Sequence, residues 1–224
     1  IQAARIEYGK QSFNLRNFLL ANTDLVCSLS TMMAPVVNAT IKTKPVRRMM
    51  DAVLRIDHRR IFPKYASQTF ESWYKKQADI QQQYKKQVAF FHGCYVNYNH
   101  PQLGKDLVKV FNALGIGVRL LKKEKCCGVA LIANGFIDQA KGKAKINVAS
   151  LRESIVDNNV PVVGTSSTCI MTLRDEYPHL LGIDNSDIRD KTELATRYIY
   201  RLLMQGKANL KLNAKKIKVA YHTA

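Results

Sequence analysis

The sequence predicts an α/β protein: a helical N-terminal segment followed by a parallel-sheet domain with helices on both faces. Three observations predict it. Short apolar runs of the buried-strand type recur at Val88-Ala89-Phe90-Phe91, at 116–121 and at Pro161-Val162-Val163. Longer stretches with helical spacing separate them, and strand–helix–strand–helix at this pace is the pattern of a parallel sheet with covering helices. Residues 1–78, by contrast, show no alternating strand pattern and few glycines.

In the N-terminal segment, Asn22-Thr23-Asp24 offers a helix cap after Phe18-Leu19-Leu20. The helix it opens carries Leu25, Val26, Leu29, Met32 and Met33 before Pro35 ends it. This stretch is too short and too interrupted by Ser, Thr and Asn to span a bilayer, which takes roughly 20 predominantly apolar residues. It packs as a core or inter-subunit helix, or it lies in a membrane interface with its apolar side down. Basic pairs follow closely, at Arg47-Arg48 and Arg59-Arg60. Residues 57–63 and 70–74 read as further helix and loop, with Trp73 as a packing anchor. The polar stretch 77–87, with three consecutive glutamines and Lys85-Lys86, reads as a linker.

Beyond the first strand, Pro101 suits a first helical turn. Leu103, Leu107, Val110, Phe111 and Leu114 keep helical spacing, and Gly115 is placed to stop the helix. Further helices are expected over 137–157 and 192–204, and a fourth strand over 217–221.

At 224 residues the chain is long enough to bury a real core. The 35 Lys+Arg against 17 Asp+Glu give a formal charge of +18, which points to polyanions or an acidic surface. Zinc-finger spacing, an aromatic RNA-binding signature and a Gly-rich basic arm are all missing, so nucleic acid is set aside. The acidic lipid of a membrane surface is retained, because the basic pairs sit next to the apolar helix. Five cysteines are too few for a disulfide scaffold, and no signal peptide is recognisable. The expectation is a reducing compartment with thiols free to bind metal. The chain opens on Ile1 and stops at Ala224 within an apolar run, so a piece of a longer protein is expected.

The chemistry centres on Lys122-Lys123-Glu124-Lys125-Cys126-Cys127-Gly128-Val129-Ala130. Neighbouring Cα atoms sit about 3.8 Å apart, shorter than a relaxed disulfide wants, so Cys126 and Cys127 are expected to aim at something shared. Cys94 lies upstream with 31 residues between it and Cys126, and Cys169 follows Gly128 with 40 residues between, with Cys27 the outsider. Each of these thiols comes just after a strand. In a parallel sheet the loops leaving the carboxyl ends of the strands share one edge, where ligands bind. All four should converge there, each near a helix start that favours thiolates.

Four thiolates suit zinc or an iron–sulfur cluster, and the long spacings fit the cluster better than tight zinc knuckles. A dithiol redox enzyme would want a Cys-x-x-Cys, which is lacking. The bland alternative is that they are small buried hydrophobes. His92, and His222 near the chain end, follow strand-like runs and are candidates for outer-shell groups. The run 88–93 is similar to 219–224 at an offset of 131, so a second copy of the unit is expected to begin near the end of the chain.

Cys94, then Cys126-Cys127-Gly128, then Ser166-x-x-Cys169 resembles the cysteine-rich CCG domain family, whose pattern is a cysteine, a long gap, Cys-Cys-Gly, a second long gap and Cys-x-x-Cys. Residues 91–99, 163–177 and 193–198 are most similar to the branch that serves anaerobic glycerol-3-phosphate dehydrogenases. The resemblance implies three segments: a helical lead-in and linker over 1–87, a first CCG domain over 88–216, and the start of a truncated second one over 217–224. It implies an iron–sulfur electron-transfer subunit, with a cluster of the 4Fe-4S type on Cys94, Cys126, Cys127 and Cys169. FAD would be confined to flavin dehydrogenase partner subunits, with electrons passing towards quinone at the cytoplasmic face of the bacterial inner membrane. Leu25, Leu29, Met32, Met33, Arg47 and Arg48 would form the membrane or partner surface. One position departs from the pattern: where the family has cysteine stands Ser166, whose hydroxyl is a much poorer iron ligand than a thiolate because it must lose a proton of far higher pKa. Ser166 and His92 are therefore weak-ligand or outer-shell candidates, and the alternative function is a membrane-anchoring scaffold with an empty or zinc-filled site.

Overall fold

The computed structural model describes residues 14–207, together with the isolated positions 218 and 220. The strand expected over 217–221, the second copy at 219–224 and His222 fall almost wholly outside the described residues. Four helices lead in: α1 (Leu15–Ala21), α2 (Thr23–Met32), α3 (Ala34–Thr40) and α4 (Lys44–Leu54). Asn22 separates the first two, and Pro35 both closes α2 and opens α3, its missing N–H costing nothing in a first turn.

The sheet is built from β1 (Lys86–Phe91), β2 (Ile116–Leu120), β3 (Val162–Gly164) and β4 (Thr192–Leu194). All neighbours run parallel, in the order β2-β1-β3-β4. β1 pairs with β2 from Lys86↔Ile116 to Phe90↔Leu120, and with β3 from Ala89↔Val162 to Phe91↔Gly164. A central parallel strand is covered on both faces, which is why Val88-Ala89-Phe90-Phe91 is continuously apolar and fully buried.

One face packs Ala89, Phe91 and Val162 against α5 (Ile137–Arg152), through Ala140, Ala144, Val148 and Leu151, with Leu173 and Tyr177 beyond. The other packs Val88, Phe90, Val118 and Val163 against Phe70, Leu107, Val108 and Phe111. The expected two-faced α/β architecture is the one observed, and Trp73 packs against this second cluster as expected.

Two segments differ from expectation. Residues 192–194 begin not a helix but the edge strand β4, and the helix starts at Ala195. Its three residues are too few for an alternation to register, and the buried Glu193 is held by Arg201. The stretch 77–87 is also more than a polar linker: Ala78–Gln82 is helical and Gln81 is 1% exposed. The Gln81 Oε1 accepts the Val118 N–H at 3.0 Å, and Gln87 Nε2 donates to the carbonyls of Gln81 and Tyr84. These glutamines satisfy backbone groups at the otherwise open edge of β2. Gly117 permits the approach, since a Cβ there would sit 2.4 Å from the Gln81 carbonyl oxygen.

Candidate metal centre

β1 lies between β2 and β3, so the chain leaves it in one direction and returns on its other side. Strand orders of this kind open a crevice at the carboxyl ends of the strands. Cys94 follows β1 at the start of the helix Gly93–Tyr98. Cys126 and Cys127 follow β2 and precede the helix Val129–Ala133, for which Gly128 supplies a left-handed turn at φ +86°. Cys169 follows β3 inside the helix Ser167–Met171.

The structure brings all four together. The sulfurs of Cys94 and Cys126 lie 3.9 Å apart, and a Cβ on Gly93 would lie 3.4 Å from Cys169 Sγ. Cys126 and Cys127 are buried, Cys94 and Cys169 partly so, and every cysteine is a free thiol.

The four titrate as one set. Hydrogen bonds from Cys127 and then Cys94, followed by the Gly128 N–H and the Lys143 charge, hold Cys126 as the thiolate against a burial that would raise it. The Cys169 thiol is also lowered, chiefly by Cys127 and with help from Ser166. Cys94 and Cys127 are pushed up, chiefly by their contacts with the neighbouring sulfurs and then by burial. Metal binding releases such protons.

The backbone carrying the paired cysteines is held from behind. Asn147 on α5 accepts the Lys125 N–H at 2.8 Å and donates to the Lys125 carbonyl at 3.1 Å and to Tyr177 Oη at 3.0 Å. Tyr177 in turn donates to the Cys127 carbonyl at 3.0 Å. Both residues are fully buried.

A second clamp comes from Glu124, whose side chain is 6% exposed. It accepts the N–H groups of Gly93 at 2.7 Å and His92 at 3.2 Å, and it faces His92 Nδ1 at 3.2 Å. His92 Nε2 meets Glu71 at 3.2 Å. Burial alone would lower the His92 pKa, but Glu124 and then Glu71 overcome it and raise it to about 9, so the ring is an imidazolium. Glu124 thus ties the loop of Cys126 and Cys127 to the turn of Cys94. His92, expected near the thiols, spends its ring on these carboxylates. Ser166 caps its helix by accepting the Cys169 N–H at 3.3 Å.

Cys27, the outsider of the expected set, lies on α2 near the site, half-buried, its thiol directed at Asn99 Oδ1 at 3.7 Å and its pKa pushed up to about 11 by burial and then by Cys126. Of the expected surface residues, Leu25, Leu29, Met32 and Met33 are 50–80% exposed. On α4, Arg48 is exposed, while Arg47 is half-buried and donates to the Arg60 carbonyl. Glu124, Asn147 and Tyr177 are not singled out by spacing, because no sequence interval links a clamp to the backbone it holds.

The donor set fits a thiolate-ligated metal group. The carbonyls of Lys125 and Cys127 are already bonded, leaving the sulfurs to act. The hydroxyl of Thr165, in the loop that presents Cys169, is buried without a partner. Among the described residues no three of these sulfurs lie mutually within 4.8 Å. A single zinc with bonds of about 2.3 Å would keep any two ligands within about 4.6 Å, so the thiols are strung more widely than one ion spans. The one set of three ligand atoms that close, among the described residues, is Asp51, Asp57 and His58 on the surface, where Arg59 already pairs with Asp57.

A parallel sheet that delivers four thiols to its switch point is the frame of a cysteine-rich domain. Residues 88–174 match the cysteine-rich CCG domain, and the chain carries a domain of that family. It is 57% identical over 223 residues to a subunit of the anaerobic glycerol-3-phosphate dehydrogenase of Escherichia coli K12, a match that covers 100% of this chain and 56% of that protein. It is 30% identical over 138 residues to an uncharacterized iron–sulfur protein of Methanocaldococcus jannaschii, covering 62% of this chain and 25% of the relative. It is also 30% identical over 133 residues to a subunit of the dihydromethanophenazine:CoB–CoM heterodisulfide reductase of Methanosarcina barkeri, covering 54% and 32%. The chain spans about half the length of the E. coli protein it matches from end to end. No solved structure matches.

Proposed function

We propose that this chain is the iron–sulfur electron-transfer part of a membrane-associated anaerobic glycerol-3-phosphate dehydrogenase complex, passing electrons from a flavin dehydrogenase towards quinone. The observation that carries the proposal is the convergence of Cys94, Cys126, Cys127 and Cys169 at one sheet edge, in thiol contact and without a disulfide. The end-to-end likeness to the E. coli dehydrogenase subunit supports the choice of complex. Those four sulfurs hold the cluster, of the 4Fe-4S type. When bound, it supplies one-electron storage at a potential set by the charges and hydrogen bonds around it. Cys126 and Cys169 offer thiolates, Cys94 and Cys127 lose their protons on loading, and Glu124, Asn147 and Tyr177 fix the loops. Oxidation of glycerol 3-phosphate and the FAD belong to partner subunits.

No described helix is long and apolar enough to cross a membrane. Peripheral attachment to the cytoplasmic face of the inner membrane would use Leu25, Leu29, Met32 and Met33 as the apolar contact and Arg47 and Arg48 for acidic lipid. The segments divide as a lead-in over 1–87, the first CCG domain over 88–216 and the start of a second over 217–224. The alternative is a scaffold with an empty or zinc-filled site, and one observation supports the empty form: Ser166, in the family's cysteine position, spends its oxygen on a helix cap.

The test uses the complex purified anaerobically with its flavin subunits. Glycerol 3-phosphate should develop a paramagnetic iron–sulfur signal that a quinone analogue discharges and that Cys127→Ser lacks. A signal unchanged in the variant removes the site assignment.

A further inference from the structure

The Cys94 and Cys126 side of the site is flanked by α2, which lies outside the matched segment 88–174. Thr23, the first residue of that helix, places Oγ1 4.0 Å from Cys126 Sγ. The helix is fastened on either side of this contact. Asp24 pairs with Lys143 of α5 at 2.6 Å, with the two side chains 26% and 19% exposed. One turn on, Cys27 reaches Asn99 at the far end of the helix that begins beside Cys94. Leu25 and Ser28 join Cys94 and Cys126 in lining a cleft of about 270 Å³. Two fastenings and a shared cleft wall make α2 a built part of the site.

We propose that Thr23 is a positioning residue of the metal centre: its hydroxyl donates a hydrogen bond to the Cys126 sulfur and so raises the reduction potential of the centre ligated there. The physical reason is charge. Reduction adds negative charge that spreads onto the thiolate sulfurs, and a donor aimed at one of them stabilises the reduced form more than the oxidised form. Of the two atoms in contact, the hydroxyl must be the donor once Cys126 ligates as a thiolate. This inference rests on the reading of the four thiols as ligands.

The test compares Thr23→Val, which keeps the shape and removes the donor, with Thr23→Ser, which keeps the donor. Redox titration of the full-length protein, followed by paramagnetic resonance, should show Thr23→Val disfavouring the reduced form by about three- to tenfold. Tenfold is about 59 mV for one electron. Thr23→Ser should stay close to wild type, with iron content equal in all three proteins. The same three proteins loaded with cobalt(II) report on the contact whichever metal the centre natively holds, through the sulfur-to-metal charge-transfer band. That band should move in Thr23→Val and not in Thr23→Ser. A wild-type protein without an iron–sulfur signal would sink the proposed function, and the cobalt spectra would still judge Thr23. Equal potentials and equal bands in Thr23→Val and wild type, or equal shifts in both variants, would overturn the inference.

Discussion

Glu124→Gln perturbs the clamp between two ligand-bearing loops at nearly constant volume. Glu124 accepts two backbone N–H groups and faces the His92 ring at 3.2 Å. Glutamine offers one acceptor oxygen and an NH2, so one of those N–H groups would meet another donor. The charge opposite the imidazolium also disappears. Removing one partner of a buried ion pair costs about 3–5 kcal/mol. Glu71 remains beside His92 but is 48% exposed and so compensates in part, which places the expected loss near 3 kcal/mol. A raised histidine pKa adds stability that is fully present below about 6.5 and is lost as the pH rises through about 9. Burial also pushes the Glu124 carboxyl up to about 7, which costs stability at neutral pH and offsets part of the histidine's gain, so the expected loss rests on the geometry. Urea unfolding of the metal-free chain, followed by circular dichroism at pH 7 and pH 9.5, measures both effects. Wild type should exceed the variant by about 3 kcal/mol at pH 7, with the gap narrowing at pH 9.5 to the part that comes from the backbone N–H groups. A difference under about 0.5 kcal/mol at pH 7, or a gap of equal size at both pH values, would show that Glu124 and His92 form no stabilising charge pair.

Tyr177→Phe leaves the Cys127 carbonyl and Asn147 short of a partner in a fully buried place; a loss of about 1–3 kcal/mol is expected in the same unfolding assay. Gly93→Ala forces a side chain onto φ +68° and brings a Cβ to 3.4 Å from Cys169 Sγ. It should cost about 1–2 kcal/mol and lower metal content on analysis, whereas an unchanged metal load would show that the turn has room to spare. For the lipid surface, Arg47→Glu with Arg48→Glu should weaken flotation with acidic vesicles by roughly tenfold or more, at about 1 kcal/mol per basic residue. Met32→Asp should weaken binding to acidic and neutral vesicles alike. Equal flotation by all of these proteins would remove the membrane role of this face.

The sheet was legible because its strands are buried on both sides. Val88-Ala89-Phe90-Phe91 and Val162-Val163 have no solvent face, so they read as unbroken apolar runs that glycines and polar loops bracket. With three strands placed, the convergence of Cys94, Cys126, Cys127 and Cys169 follows from parallel topology alone. What stayed hidden is of two kinds. β4 is three residues long and contains a charge, since Glu193 is buried only by virtue of Arg201 eight residues on. Gln81 looks like part of a solvated polar tract, yet it closes a sheet edge through one hydrogen bond to Val118. The supports of the site belong to the second kind. Asn147 and Tyr177 act on the paired cysteines across 20 and more residues, and Thr23 acts across 103, through contacts that no local pattern encodes.

In the proposed function, four sulfurs from three strand ends hold one inorganic centre. Iron and acid-labile sulfide analysis of the anaerobically prepared full-length protein tests it most directly, run with Cys94→Ser, Cys126→Ser, Cys127→Ser, Cys169→Ser and, as the control, Cys27→Ser. Each of the first four variants should lose iron and sulfide together, while Cys27→Ser should keep the wild-type content. A colourless wild type with one zinc per chain, or four variants that retain their iron and sulfide, would contradict it.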